Sequence, residues 1–106
     1  MYIKGVGMTK FGVHAETTHE MCYDAIMEAL EDADMPLSEI DEIIISKGDS
    51  RNDGERQKLF PGMLSSMLQD QDIPIIRVMA ACSGGGAAVW DAVNSKARNI
   101  LVVGVD

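Results

Sequence analysis

Short runs of β-branched and aliphatic residues alternate along this chain with longer stretches whose apolar positions recur every three to four residues. Tyr2-Ile-Lys-Gly-Val6 predicts a strand and Gly7 to Gly12 the loop after it. Thr17-Thr-His-Glu20 has the spacing of a capping box, in which Thr17 and Glu20 satisfy each other's backbone donors. Met21, Ala25, Ile26, Ala29, Leu30 and Ala33 follow at helical spacing as one apolar face, and Pro36 closes that helix. Asp34 occupies the position where a helix favours Gly, because positive φ is easier there without a side chain. Glu42-Ile-Ile-Ile-Ser46 predicts a buried strand and Gly48 to Glu55 a polar loop. From Arg56 to Gln69, Leu59, Phe60, Met63, Leu64, Met67 and Leu68 keep helical spacing, with Pro61 tolerable only in the first turn. Pro74 to Met79 predicts a third strand, Ser83 to Arg98 a third helix and Asn99 to Val105 a fourth strand. The order βαβαβαβ predicts one α/β domain over residues 1–106, a three-layer sandwich with a mostly parallel sheet covered on both faces.

Composition narrows the function classes. Of 106 residues 46% are hydrophobic and 25% charged, the balance of a globular chain. Seventeen acids against nine bases give a net charge of −8, which argues against binding nucleic acid. No apolar stretch reaches the roughly 18–20 residues of a membrane span, and the opening residues lack a secretory pattern, so a cytoplasmic location is expected. Between Phe11 and Ser46 there are ten acids and no Lys or Arg. Among them Glu16, Glu20, Asp24, Glu28 and Asp32 form a stripe at four-residue spacing, expected to face solvent.

Candidate chemistry centres on Ala80-Ala-Cys82-Ser-Gly-Gly-Gly-Ala-Ala88. Here a cysteine follows a predicted strand and opens a predicted helix, where free backbone N–H groups favour the thiolate. Three consecutive glycines each cost a helix up to about 1 kcal/mol against Ala, yet they let a ligand or another backbone approach closely. Local features leave two readings open: a nucleophile, or a small cysteine packed in a tight strand–helix turn. Cys22, beside Met21 and before Ile26 on the first helix, is assigned a packing role. No CxxC pair exists and the histidines are His14 and His19, so no metal site is expected. His14 in a loop and His19 inside the capping box are read as solvent-exposed. Gly5-Val-Gly-Met-Thr-Lys-Phe-Gly12 misses the GxGxxG spacing by two positions. Arg51, Arg56 and Lys58 alternate with Asp53 and Glu55 and are read as a solvated loop and helix start.

The cysteine segment resembles the active-cysteine segment of thiolases, in which a Cys-small-small-Gly-Gly-Ala-Ala run begins a buried helix. Ile3 to Gly12 followed by His14, Ala25 to Ala33, Ile75 to Val78 and Leu101 to Val105 are similar, in order and spacing, to the opening part of archaeal and sterol-carrier-type thiolases. Asp34 departs from the family's helix-ending Gly, and Ser83 and Gly84 stand where Ala and Ser are frequent. The resemblance implies the incomplete N-terminal half of a thiolase fold and carbon–carbon bond formation or cleavage on acyl-CoA thioesters, as in an acetyl-CoA acetyltransferase. Cys82 matches the nucleophile that carries the acyl group, and Ser83, Gly84 and Gly85 match positions lining the substrate.

The family's second cysteine, Gly-His-Pro motif and Asn-containing motif come from later sequence and are not in this chain. The expected partners are an acyl-CoA substrate, further copies of the chain and an acyl-CoA enzyme complex, with no resident cofactor. Two alternatives stand beside this: a non-catalytic thiolase-fold scaffold, and a ketoacyl-synthase or hydroxymethylglutaryl-CoA-synthase relative.

Overall fold

The computed structural model describes residues 2–12, 15, 18–47, 73–78 and 84–105. Helix α1 spans Thr18–Ala33, a 3-10 turn Leu37–Glu39, strand β1 Glu42–Lys47, β2 Ile75–Val78, helix α2 Gly84–Asn94 and β3 Ile100–Val105. The three strands form a parallel sheet in the order β2-β1-β3. Ile43 lies between Ile75 and Leu101, Ile44 between Ile76 and Val102, and Ile45 between Arg77 and Val103.

That register sorts side chains by parity. Ile43, Ile45, Leu101 and Val103 join Cys22, Ile26 and Leu30 of α1 in one core cluster. Ile44 faces the other way and packs with Ala88 and Ala92 of α2, bordered by Val78 and Ile100. A helix therefore lies on each side of the sheet, the three-layer α/β arrangement predicted. Full burial of Ile43, Ile44 and Ile45 contributes about 1.5–3 kcal/mol each. At the amino ends of β1 and β3, the Asp41 N–H donates to the Asn99 carbonyl (2.8 Å) while the Asn99 N–H donates to the Asp41 carboxylate (2.9 Å). This reciprocal pair fixes the register where the two strands begin.

Helix α1 ends as its sequence predicts. Asp34 takes φ 52°, its N–H donates to the Glu31 carbonyl, and the Met35 N–H reaches back to the Leu30 carbonyl, both at 3.0 Å. This is a Schellman closure with aspartate in the position that favours glycine. Helix α2 stops at Asn94, four residues before the predicted Arg98. Ser95 competes for the chain there: its hydroxyl donates to the Glu42 carboxylate (3.2 Å) and accepts from the Ala97 N–H (3.1 Å). The predicted helix Arg56–Gln69 and Thr17 of the capping box lie outside the described residues.

The predicted first strand requires correction. Residues 2–10 form no strand and lie along α1 instead. The sheet-facing side of α1 is Cys22, Ile26 and Leu30, whereas Ala25, Ala29 and Ala33 form a separate shallow track. Gly5 and Gly7 press onto that track. A Cβ on Gly5 would sit 2.6 Å from the Ala29 carbonyl oxygen and the Ala33 nitrogen, and one on Gly7 would collide with the Ala25 carbonyl oxygen. Between the two glycines, the Val6 N–H donates to the Asp32 carboxylate (2.9 Å). With that donor given to a helix side chain and both glycines seated on α1, the segment lies outside the three-stranded sheet.

Two outcomes follow from these contacts. Gly5→Ala and Gly7→Ala are each expected to cost about 1–3 kcal/mol and to expose residues 2–10 to limited proteolysis, because the opposing atoms are helix backbone and cannot yield. Asp34→Gly is expected to raise stability by about 0.5–1 kcal/mol in a thermal melt, since it removes both the left-handed strain and a negative charge at a helix C-terminus. Asp34→Asn should fall between the two.

Candidate functional site

The site predicted from sequence lies on the connection from β2 to α2. Strand β2 ends at Val78 and α2 begins at Gly84, and both are held by contacts to the central strand. Val78 pairs with Ser46, and α2 is anchored through Ala88 and Ala92 on Ile44. Small residues at 88 and 92 let the helix axis approach the sheet closely, so its amino end is aimed from a rigid base. Cys82 and Ser83 belong to the span 79–83, outside the described residues, which joins the carboxyl end of β2 to the amino end of α2. In parallel α/β sheets, ligands gather at the carboxyl ends of the strands.

Gly84 and Gly85 open α2, whose first turn carries no acidic side chain to offset the positive end of the helix dipole. Among the described residues, nothing lies within 4 Å of where a Cβ on Gly85 or Gly86 would stand. They thus differ in kind from Gly5 and Gly7, which are required by internal contact. A helix that places glycines against open space gives up propensity without gaining packing.

Cys22 is the opposite case. It is a free thiol buried in the core under α1, and burial pushes its pKa up to about 12 from an ordinary 9.0. A thiol so held is protonated at neutral pH and has the packing role expected. Of the acidic stripe, Glu20, Asp24, Glu28 and Asp32 are exposed as predicted, with Asp32 also tying down Val6. Glu16, His14, Arg51, Arg56 and Lys58 lie outside the described residues, as does the His19 side chain.

A shallow cleft of about 280 Å³ between residues 8–10 and α1 is lined by Met8, Thr9, Lys10, Met21, Asp24, Ala25 and Glu28, and nothing in it converges for chemistry. Among the described residues no three His, Cys, Asp or Glu side chains are placed to share a metal ion, and no helix is long and apolar enough to cross a membrane. One feature was missed from sequence. Val89, Trp90 and Val93 project from α2 into solvent, a stripe legible in the three-to-four-residue spacing once the sheet-facing positions 88 and 92 are known.

No family model matches the chain. In sequence it is 34% identical over 115 residues to the beta-ketoacyl-[acyl-carrier-protein] synthase III of Staphylococcus saprophyticus, covering 96% of this chain and 33% of that protein. Its fold is similar to the crystal structure of 3-oxoacyl-[acyl-carrier-protein] synthase III from Aquifex aeolicus, with a TM-score of 0.71 and 27% identity over 86% of this chain and 30% of that one. The chain spans about a third of the length of these relatives. The architecture is a partial thiolase-like fold, as expected. Within that superfamily the relatives are ketoacyl synthases, which favours the alternative stated above over the acetyl-CoA acetyltransferase subtype.

The burial of Cys22 sets a reactivity test. In Cys82→Ala, Cys22 is expected to resist iodoacetamide at pH 8 while the chain is folded and to be alkylated fully in guanidinium, as followed by mass spectrometry. Fast labelling in the folded chain would contradict the core assignment.

Proposed function

We propose that this chain is the nucleophile-bearing N-terminal part of a cytoplasmic acyl-condensing enzyme of the ketoacyl-synthase III kind, acting on an acyl-CoA thioester through Cys82. The observation that carries this reading is the sequence Cys82-Ser-Gly-Gly-Gly between β2 and α2, in a chain that aligns over 96% of its length with a ketoacyl synthase III. The Cys82 thiolate attacks the thioester carbonyl carbon, the C–S bond to CoA breaks, and CoA leaves as a thiol after taking a proton. The acyl group is then held on Cys82 as a new thioester, ready for a carbon nucleophile. The chain's own contribution is threefold: a helix amino end that favours the thiolate, a glycine at 85 that leaves the approach open, and a rigid sheet behind both.

A thiolase-type acetyl-CoA acetyltransferase is the second reading, favoured by the run Gly85-Gly-Ala-Ala88 after the cysteine and by the opening segment Ile3–Gly12. Both readings require an acid/base residue, and the motifs that supply it in the thiolase family are not in this sequence. Losing one oxyanion donor costs about a hundred- to a thousandfold, and losing the acid/base group about a hundredfold more. The purified chain is therefore expected to be alkylated by iodoacetamide at Cys82 faster than a free cysteine, and to show no turnover of acetoacetyl-CoA by enolate absorbance. Cys82→Ala is the control for both. Labelling no faster than free cysteine would remove the nucleophile and leave the non-catalytic scaffold. Cys82-dependent turnover would show that a complete site assembles from these residues.

A further inference from the structure

Ser46 is the one buried polar residue among the described residues, with 6% of its surface exposed. It follows Ile43, Ile44 and Ile45 on the central strand and lies between Val78 of β2 and Gly104 of β3. Packing alone does not call for a hydroxyl here, because a fourth isoleucine or a valine would fill a buried strand with no polar group to satisfy. A buried hydroxyl is ordinarily hydrogen-bonded. No other described residue bonds to the Ser46 side chain.

The fold narrows what can. Alternation along β1 turns Ser46 to the face of Ile44, the face covered by α2. Helix α2 runs antiparallel to that strand: Ser95, just past its last turn, is tied to Glu42 at the start of β1, and Ala92 and Ala88 rest on Ile44. The eleven residues Gly84–Asn94 span about 16 Å, and the four steps from Glu42 to Ser46 about 13 Å. The amino end of α2 thus comes over Ser46. The chain between β2 and α2 starts from Val78, the ladder neighbour of Ser46, and finishes at Gly84 above it, with five residues to join the two. We propose that Ser46 is a positioning residue: its hydroxyl donates a hydrogen bond to a backbone carbonyl of residues 79–83 and so holds Cys82 at the amino end of α2.

This rests on the reading of Cys82 as the nucleophile. The helix dipole favours a thiolate only within the first turn, so the benefit depends on where the sulfur is held. Among the described side chains no charge competes for that role. Arg77 pairs with Ile45 and faces the side of α1, Glu42 is at the opposite end of β1, Asp91 lies two turns along α2, and β3 carries no charged residue.

The rate of Cys82 alkylation by iodoacetamide from pH 5 to 10, followed at its peptide by mass spectrometry, reads the thiolate fraction. In Ser46→Ala the rate at pH 7 is expected to fall about three- to tenfold, with the midpoint moved up by about half to one pH unit and the rates converging once the thiol is ionised. Ser46→Thr and Ser46→Val share a shape and differ in the hydroxyl, so the first should keep the parent profile and the second follow Ser46→Ala. Circular dichroism and the protection of Cys22 should be unchanged in all three. Equal profiles in the parent, Ser46→Ala and Ser46→Val would overturn the proposal while leaving Cys82 a nucleophile. So would a loss by the same factor at every pH, which reports access rather than ionisation, or a Ser46→Thr profile that tracks Ser46→Val. A parent Cys82 no faster than free cysteine would overturn the nucleophile reading and this proposal with it. If Ser46→Ala loses its circular dichroism, Ser46→Thr against Ser46→Val decides alone.

Discussion

Strand β1 is paired along both edges and covered on both faces, so Ile43, Ile44 and Ile45 are shut off from solvent while each reaches a different neighbourhood. Burial on two faces needs apolar side chains at every position, and three consecutive isoleucines supply them with a shape that suits a pleated sheet. The remaining elements are arranged around that strand. Helix α1 rests on the face of Ile43 and Ile45, helix α2 on that of Ile44, and β2 and β3 take their register from its backbone. Because alternate side chains point to opposite faces, a slip of one residue would exchange the two helices' binding surfaces. The hydrogen bonds between Asp41 and Asn99 hold the strands against that slip.

The same scaffold carries two uses of glycine that sequence alone does not separate. Gly5 and Gly7 allow one backbone to lie on another, over a track of alanines on α1. Gly85 and Gly86 meet nothing within the described structure. In the first case the loss of a side chain is compensated by contact inside the chain. In the second it leaves an open surface at the start of α2, next in sequence to Cys82, where approach from outside is what the acyl-transfer reading requires.

Charge is distributed to match. The acids of α1 collect on the side away from the sheet, and one of them, Asp32, fastens the opening segment through the Val6 N–H. Like charges at four-residue spacing cost a helix a few tenths of a kcal/mol per pair. Here that cost is borne by a helix whose inner side is held by Cys22, Ile26 and Leu30. Helix α2, whose one charged residue is Asp91, lies on the other face of the sheet.

Local chemistry was enough to place the helix Thr18–Ala33, its awkward end at Asp34, the three strands around Ile44, Ile76 and Val102, and the small-residue opening of α2. Each depends on neighbours a few positions away: periodicity, a turn residue or a β-branched run. The buried role of Cys22 was legible for the same reason, as was the candidacy of Cys82, which rests on residues adjacent to it. What the pattern misplaced was Tyr2–Val6, whose alternating residues suit a strand but whose backbone donor at Val6 is taken by Asp32, twenty-six positions away. It also merged two faces of α1, because Ala25 and Ile26 are equally apolar in sequence and differ only in what covers them. Strand membership and helix facing depend on partners distant in the chain. Those partners are chosen by packing around β1, and local propensity carries no record of them.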